Sequence, residues 1–146
     1  MIVRKTPRSV PAPTPNAKVV FVDDEPSIVK TWGLILKSSG YDVICCGDAA
    51  SALRAIAAGC DLVITDYHMP GMNGVELIRA GRARCDAGFV LLTANATPEV
   101  ATAALSAGAL CVVHKPVGPA QLLQQVAILC AGLIREKRKG PPKRAG

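Results

Sequence analysis

Short apolar runs recur along this chain, and after each one apolar residues return every three or four positions. The runs are Lys18–Val22, Tyr41–Cys46, Asp61–Thr65, Phe89–Thr93 and Leu110–His114. Runs of this length, bounded by turn residues, read as strands buried on both faces. The stretches between them read as amphipathic helices. In the first, Pro26 suits the opening turn, Ile28, Trp32, Ile35 and Leu36 form the stripe, and Gly40 is the stop. Asp48 is placed to cap a helix over 49–58 that turns Ala52, Leu53 and Ile56 inward and ends at Gly59. Asn73 and Glu76 have capping-box spacing for a helix through about Ala83. Thr97-Pro98-Glu99 starts the next helix and Gly108 stops it. Pro119 opens the last, with Leu122, Leu123, Val126, Leu129, Cys130 and Leu133 as its stripe. Strand and helix thus alternate five times over short connections. That predicts an α/β fold, a doubly wound parallel sheet with helices on both faces.

Composition sharpens this picture. With 146 residues, one domain is expected, large enough to bury a core without disulfides or metals. Half the residues are hydrophobic and only 3% aromatic, so Val, Leu, Ile and Ala must build the core. The net charge of +6 is unevenly spread. Residues 1–17 carry +3 and residues 135–146 carry +5, which leaves −2 on the interior. The basicity therefore sits in the tails, which argues against a basic nucleic-acid-binding face on the domain. Residues 1–17, with four prolines, are expected to be a disordered leader, 18–134 the domain, and 135–146 a basic disordered tail. The six cysteines (45, 46, 60, 85, 111, 130) include no C-x-x-C pair and no zinc spacing, so they are expected to be reduced and structural, with Cys85 the one that looks exposed. No signal peptide and no membrane-length apolar run are visible, and a cytoplasmic protein is expected.

Polar groups at the strand ends change the picture most. The first strand runs into Asp23-Asp24-Glu25, the third into Asp66, the fourth ends in Thr93, and the fifth leads to Lys115-Pro116. An acid at a single strand end is usually a turn residue or a helix cap. In a parallel sheet, however, all these ends point the same way, towards the edge where open α/β sheets place ligands. Three carboxylates, a hydroxyl and an ammonium therefore converge. Adjacent acids repel unless a cation offsets them, and clustered carboxylate oxygens suit a hard divalent ion such as Mg²⁺. A carboxylate beside such an ion and a lysine is set up to receive a phosphoryl group.

Taken together and in order, VVFVDDEP (19–26), LVITDYHMPGMNGVEL (62–77), LLTAN (91–95) and VVHKP (112–116) resemble a response-regulator receiver domain, the phosphoacceptor half of two-component signalling. The resemblance covers residues 18 to about 134. It implies a flavodoxin-like (βα)5 fold with strand order 2-1-3-4-5. It implies that Asp66 is the phosphorylated aspartate, and that Asp23, Asp24, Asp66 and the backbone carbonyl of His68 hold Mg²⁺. Lys115 would pair with the phosphoryl oxygens. Thr93 and Ala94 would belong to the phosphoryl-binding and switch segment, and the Lys115–Pro116 bond would be cis. His68 and Asn95 occupy the two positions that tune phosphoryl lifetime in the family. One position departs from the pattern: three residues before the lysine the family usually carries Tyr or Phe, and here it is Val112, which cannot swing as a ring does.

The expected partners are a histidine kinase or histidine phosphotransfer protein and a downstream protein, with no DNA-binding module and no membrane. The expected role is phosphoacceptor rather than turnover enzyme. Two other readings stand beside it. A phosphorylation-independent adaptor is motivated by Val112. A haloacid-dehalogenase-type phosphohydrolase shares the Asp, Mg²⁺ and lysine chemistry, but needs a D-x-D on the first strand where this chain has Asp23-Asp24.

Overall fold

The computed structural model describes residues 16–139, with side chains as far as Glu136. Five strands, β1 (Lys18–Val22), β2 (Asp42–Cys46), β3 (Leu62–Thr65), β4 (Gly88–Thr93) and β5 (Cys111–His114), alternate with five helices, α1 (Pro26–Ser38), α2 (Ala49–Ala57), α3 (Gly74–Arg82), α4 (Pro98–Ala107) and α5 (Pro119–Lys139). All strands pair in parallel, in the order β2-β1-β3-β4-β5. This is the flavodoxin-like order that the resemblance implied.

The helix starts follow from local chemistry. Asp48 accepts from the Ser51 N–H at 2.8 Å. Asn73 and Glu76 form a reciprocal capping box at 2.9 and 2.8 Å. Thr97 accepts from the Val100 N–H at 3.2 Å. Each satisfies donors that a helix N-terminus leaves open.

Strand alternation sends successive side chains to opposite faces, giving two apolar layers. On one face Val20, Val63 and Leu91 pack with Ala52, Ile56, Ile78 and Ala104 from α2, α3 and α4. On the other Val19, Phe21, Ile64 and Leu92 pack with Trp32 and Leu36 of α1 and Leu122, Val126 and Cys130 of α5. The central strands β3 and β4 are buried along their whole length, whereas edge strand β5 is half-exposed.

The boundaries differ from expectation at both ends. Ala17 is buried, its carbonyl accepts from the Asp42 N–H at 2.9 Å, and the Asn16 N–H donates to the Gly40 carbonyl at 3.0 Å. The folded part therefore begins before Lys18, because β2 recruits the chain ahead of β1. At the other end α5 runs through Lys139, into the basic segment from 135. Residues 1–15 and 140–146, the rest of the leader and tail, lie outside the described residues. Among the described residues no helix is long and apolar enough to cross a membrane.

Candidate functional site

The acids converge because the ladder continues one step past the strands. The Asp23 N–H donates to the Cys46 carbonyl at 3.1 Å, and the Asp66 N–H donates to the Val22 carbonyl at 3.0 Å. Asp66 is thereby locked beside the end of β1, although 43 positions separate it from Asp23. Across β4 the Lys115 N–H donates to the Thr93 carbonyl at 2.9 Å, which carries the lysine to the same edge. Oxygens of Asp23, Asp24 and Asp66 all lie within 4.8 Å of one another. The three differ in burial: Asp23 is buried, Asp66 half-buried and Asp24 exposed.

Each Asp23 oxygen has a partner. Oδ1 accepts from the Glu25 N–H at 3.0 Å, and Oδ2 receives the Lys115 ammonium at 3.0 Å. The same ammonium stands 3.7 Å from Asp66 Oδ1. One lysine thus faces two of three carboxylates, so the pocket keeps an excess of negative charge. Burial pushes the Asp66 carboxyl above its ordinary range, and the Asp23 charge adds to this, against the opposing pull of Lys115 and the Tyr67 N–H. Three converging hard oxygen donors with surplus negative charge fit a small divalent cation such as Mg²⁺. Glu25, the third acid of the run, stands apart: it is exposed and its side chain accepts from the Ser27 hydroxyl.

Thr93 is fully buried, and its hydroxyl oxygen accepts from the Asn95 N–H at 3.1 Å. The Lys115–Pro116 bond is cis. Gly74 permits the turn after Asp66: its N–H donates to the Tyr67 carbonyl at 2.8 Å, and a Cβ here would fall on the Asp66 carbonyl oxygen. Thr65, read from sequence only as the end of an apolar strand, donates its buried hydroxyl to that same carbonyl at 2.9 Å.

Two side-chain contacts at the rim carry no sequence signal. The His68 ring packs edge-on against Tyr67, and its Nε2 lies 2.7 Å from Asn95 Nδ2, joining the loops that follow β3 and β4. His114, exposed at the end of β5, places Nε2 3.2 Å from the Ala94 carbonyl oxygen. Val112 is half-buried against the α2–α4 layer. The cysteines are all free, but Cys45 is the exposed one. Cys85 is half-buried, with its thiol aimed at the Cys60 carbonyl at 3.7 Å, because the turn after α3 folds back over the start of β3.

Comparison with known proteins agrees with this geometry. The family model of the response regulator receiver domain matches residues 19–127. The DNA-binding response regulator MtrA of Mycolicibacterium smegmatis is 34% identical over 114 residues, covering 77% of this chain and 50% of that protein. The chain thus spans about half the length of such curated relatives. Among solved structures, a CheY-like response regulator receiver domain protein from Methanospirillum hungatei superposes with a TM-score of 0.76 at 28% identity, covering 86% of this chain and 99% of that one. The chemotaxis protein CheY4 of Vibrio cholerae superposes with a TM-score of 0.72 at 31% identity, covering 76% and 96%. With the family model matched across its five-stranded parallel sheet, the chain belongs to the response regulator receiver domain family of two-component signalling.

Proposed function

We propose that this chain is a phosphoacceptor that takes a phosphoryl group onto Asp66 from the phosphohistidine of a histidine kinase or histidine phosphotransfer protein. The observation that carries the proposal is Lys115, 3.0 Å from Asp23 and 3.7 Å from Asp66, at the rim of a three-carboxylate cluster. An Asp66 carboxylate oxygen attacks phosphorus as the phosphorus–nitrogen bond to the donor imidazole breaks, leaving an acyl phosphate. Asp23, Asp24, Asp66 and the His68 backbone carbonyl would hold Mg²⁺, which would supply positive charge to the transferring oxygens. Lys115 supplies the protein's own positive charge at the same place. Asp23, fixed by the Glu25 N–H and by Lys115, orients the lysine. Thr93 and Ala94 form the segment that closes on the phosphoryl group; the Thr93 hydroxyl oxygen accepts from the Asn95 N–H at rest and still has its own proton to donate to a phosphoryl oxygen. The protein is a signalling component and not a turnover enzyme, catalysing at most its own phosphorylation and dephosphorylation. Its output is an altered protein–protein contact surface.

The test is incubation with Mg²⁺ and acetyl phosphate followed by intact mass, with Asp66→Asn alongside. A single acid-labile adduct in the wild type and none in the variant is expected. No adduct in the wild type would overturn the proposal. Val112 favours a second reading, an adaptor whose binding ignores phosphorylation, because a half-buried valine stands where the family usually carries a ring. Loss of partner affinity in Asp66→Ala would sink that alternative.

A further inference from the structure

Thr93 and His114 are paired neighbours across the β4–β5 ladder, so their side chains stand on the same face. From there the His114 ring reaches past the strand end to the Ala94 carbonyl, 3.2 Å from Nε2. A carbonyl oxygen only accepts, so Nε2 carries the proton in this contact, in either the neutral or the cationic ring. Besides the β4–β5 ladder, which includes the bond from the Lys115 N–H to Thr93, the segment takes the Asn95 N–H on the Thr93 hydroxyl and His114 on the Ala94 carbonyl. Val112, two residues earlier on the same face, has no polar atom to offer.

We propose that His114 is a positioning residue for the phosphoryl site. It holds the Thr93–Ala94 segment in its resting place and, being exposed on β5, reports the segment's movement at the surface. The proposal rests on the phosphoacceptor reading above. For the Thr93 hydroxyl to reach an oxygen on phosphorylated Asp66, the segment must shift, and the Ala94 carbonyl shifts with it. The His114 contact is then broken or rebuilt, which gives the loop a resting position that costs something to leave. The histidine thus does, by a hydrogen bond, part of what a ring at position 112 would do by rotating.

The test combines ring-nitrogen NMR with phosphorylation rates. In the full chain with Mg²⁺, beryllofluoride should shift the His114 Nε2 signal. His114→Ala should be phosphorylated by acetyl phosphate roughly threefold to tenfold faster, the effect expected of one modest hydrogen bond lost from the resting state only. His114→Gln, which keeps a donor amide, should return the rate towards wild type. Thermal midpoints measured alongside separate this from a purely structural effect, which would not be rescued by a donor. If wild type forms its Asp66 adduct while the His114→Ala rate and the Nε2 signal stay unchanged, the proposal falls alone. If wild type forms no adduct, the phosphoacceptor reading falls and takes the proposal with it.

Discussion

Replacing Gly74 with alanine puts a methyl group where the fold has no room for one. Gly74 opens α3, one residue after the capping Asn73, and lies directly beneath the Asp66 turn. An added Cβ would meet the Asp66 carbonyl oxygen, Leu91 Cδ1 at 2.7 Å and Tyr67 Cα at 3.0 Å. Carbon contacts settle near ~3.5–4.0 Å, so these neighbours must give by about 1 Å. Leu91 is fully buried, and the other two atoms belong to the backbone that carries Asp66, so no side-chain rotation relieves the clash. Overpacking of this kind costs about 1–3 kcal/mol. Alanine's better helix propensity offsets at most ~1 kcal/mol of that. After the full offset a net loss of up to about 2 kcal/mol follows, or a Tm lower by up to roughly 10 °C for a domain of this size. The larger effect falls on chemistry: a displacement of about 1 Å at a reacting group costs on the order of 100-fold in rate. Urea unfolding and the acetyl phosphate rate measure the two effects on one preparation. Unchanged stability together with an unchanged phosphorylation rate would refute the view that this glycine sets the position of Asp66.

Three further outcomes are expected. Burial raises the Asp66 carboxyl in the folded state, so its ionisation opposes folding; Asp66→Asn should therefore stabilise the metal-free protein at neutral pH, and the gain should vanish as pH falls below the ordinary carboxylate value, as pH-dependent chemical denaturation would show. In native protein at pH 8 a thiol reagent should label Cys45 first, while Cys46, Cys60 and Cys130 wait for unfolding; burial pushes Cys130 up to about 12, leaving almost no thiolate, and early labelling of Cys130 in a peptide map would contradict its place in the core. Asn73→Ala removes half of the capping box and should cost ~1 kcal/mol in a denaturant melt, with no loss if the box is only incidental.

The two ends of the domain show where a hydrophobic pattern stops being informative. An apolar stripe marks how much of a helix is buried, not how long it is. The stripe of the last helix ends near Leu133, but Arg135, Glu136 and the lysines beyond are good helix formers, and α5 continues through Lys139. Ala17 reads as the close of a Pro-rich leader, yet it is buried, with its carbonyl accepting from Asp42 at the start of β2 and the Asn16 N–H on the Gly40 carbonyl just before it. Cys45 and Cys46 are adjacent in an apolar run, but strand alternation at a sheet edge exposes the first and buries the second.

By itself the sequence determined the elements and the edge on which the chemistry lies. Caps and turns act over three or four residues, and parallel strands alternating with helices must all end on one side, so Asp23, Asp24, Asp66, Thr93 and Lys115 were bound to share an edge. Only the tertiary structure decided what each of them touches. Asp23 and Asp24 are the same residue type in sequence, but one is buried on Lys115 and the other faces solvent. The bonds from His114 to Ala94 and from His68 to Asn95 join loops brought together by strand pairing, and single positions in a sequence carry no record of their long-range neighbours. Periodicity is a local property of the chain, whereas distance and burial at a site are set by residues far apart along it.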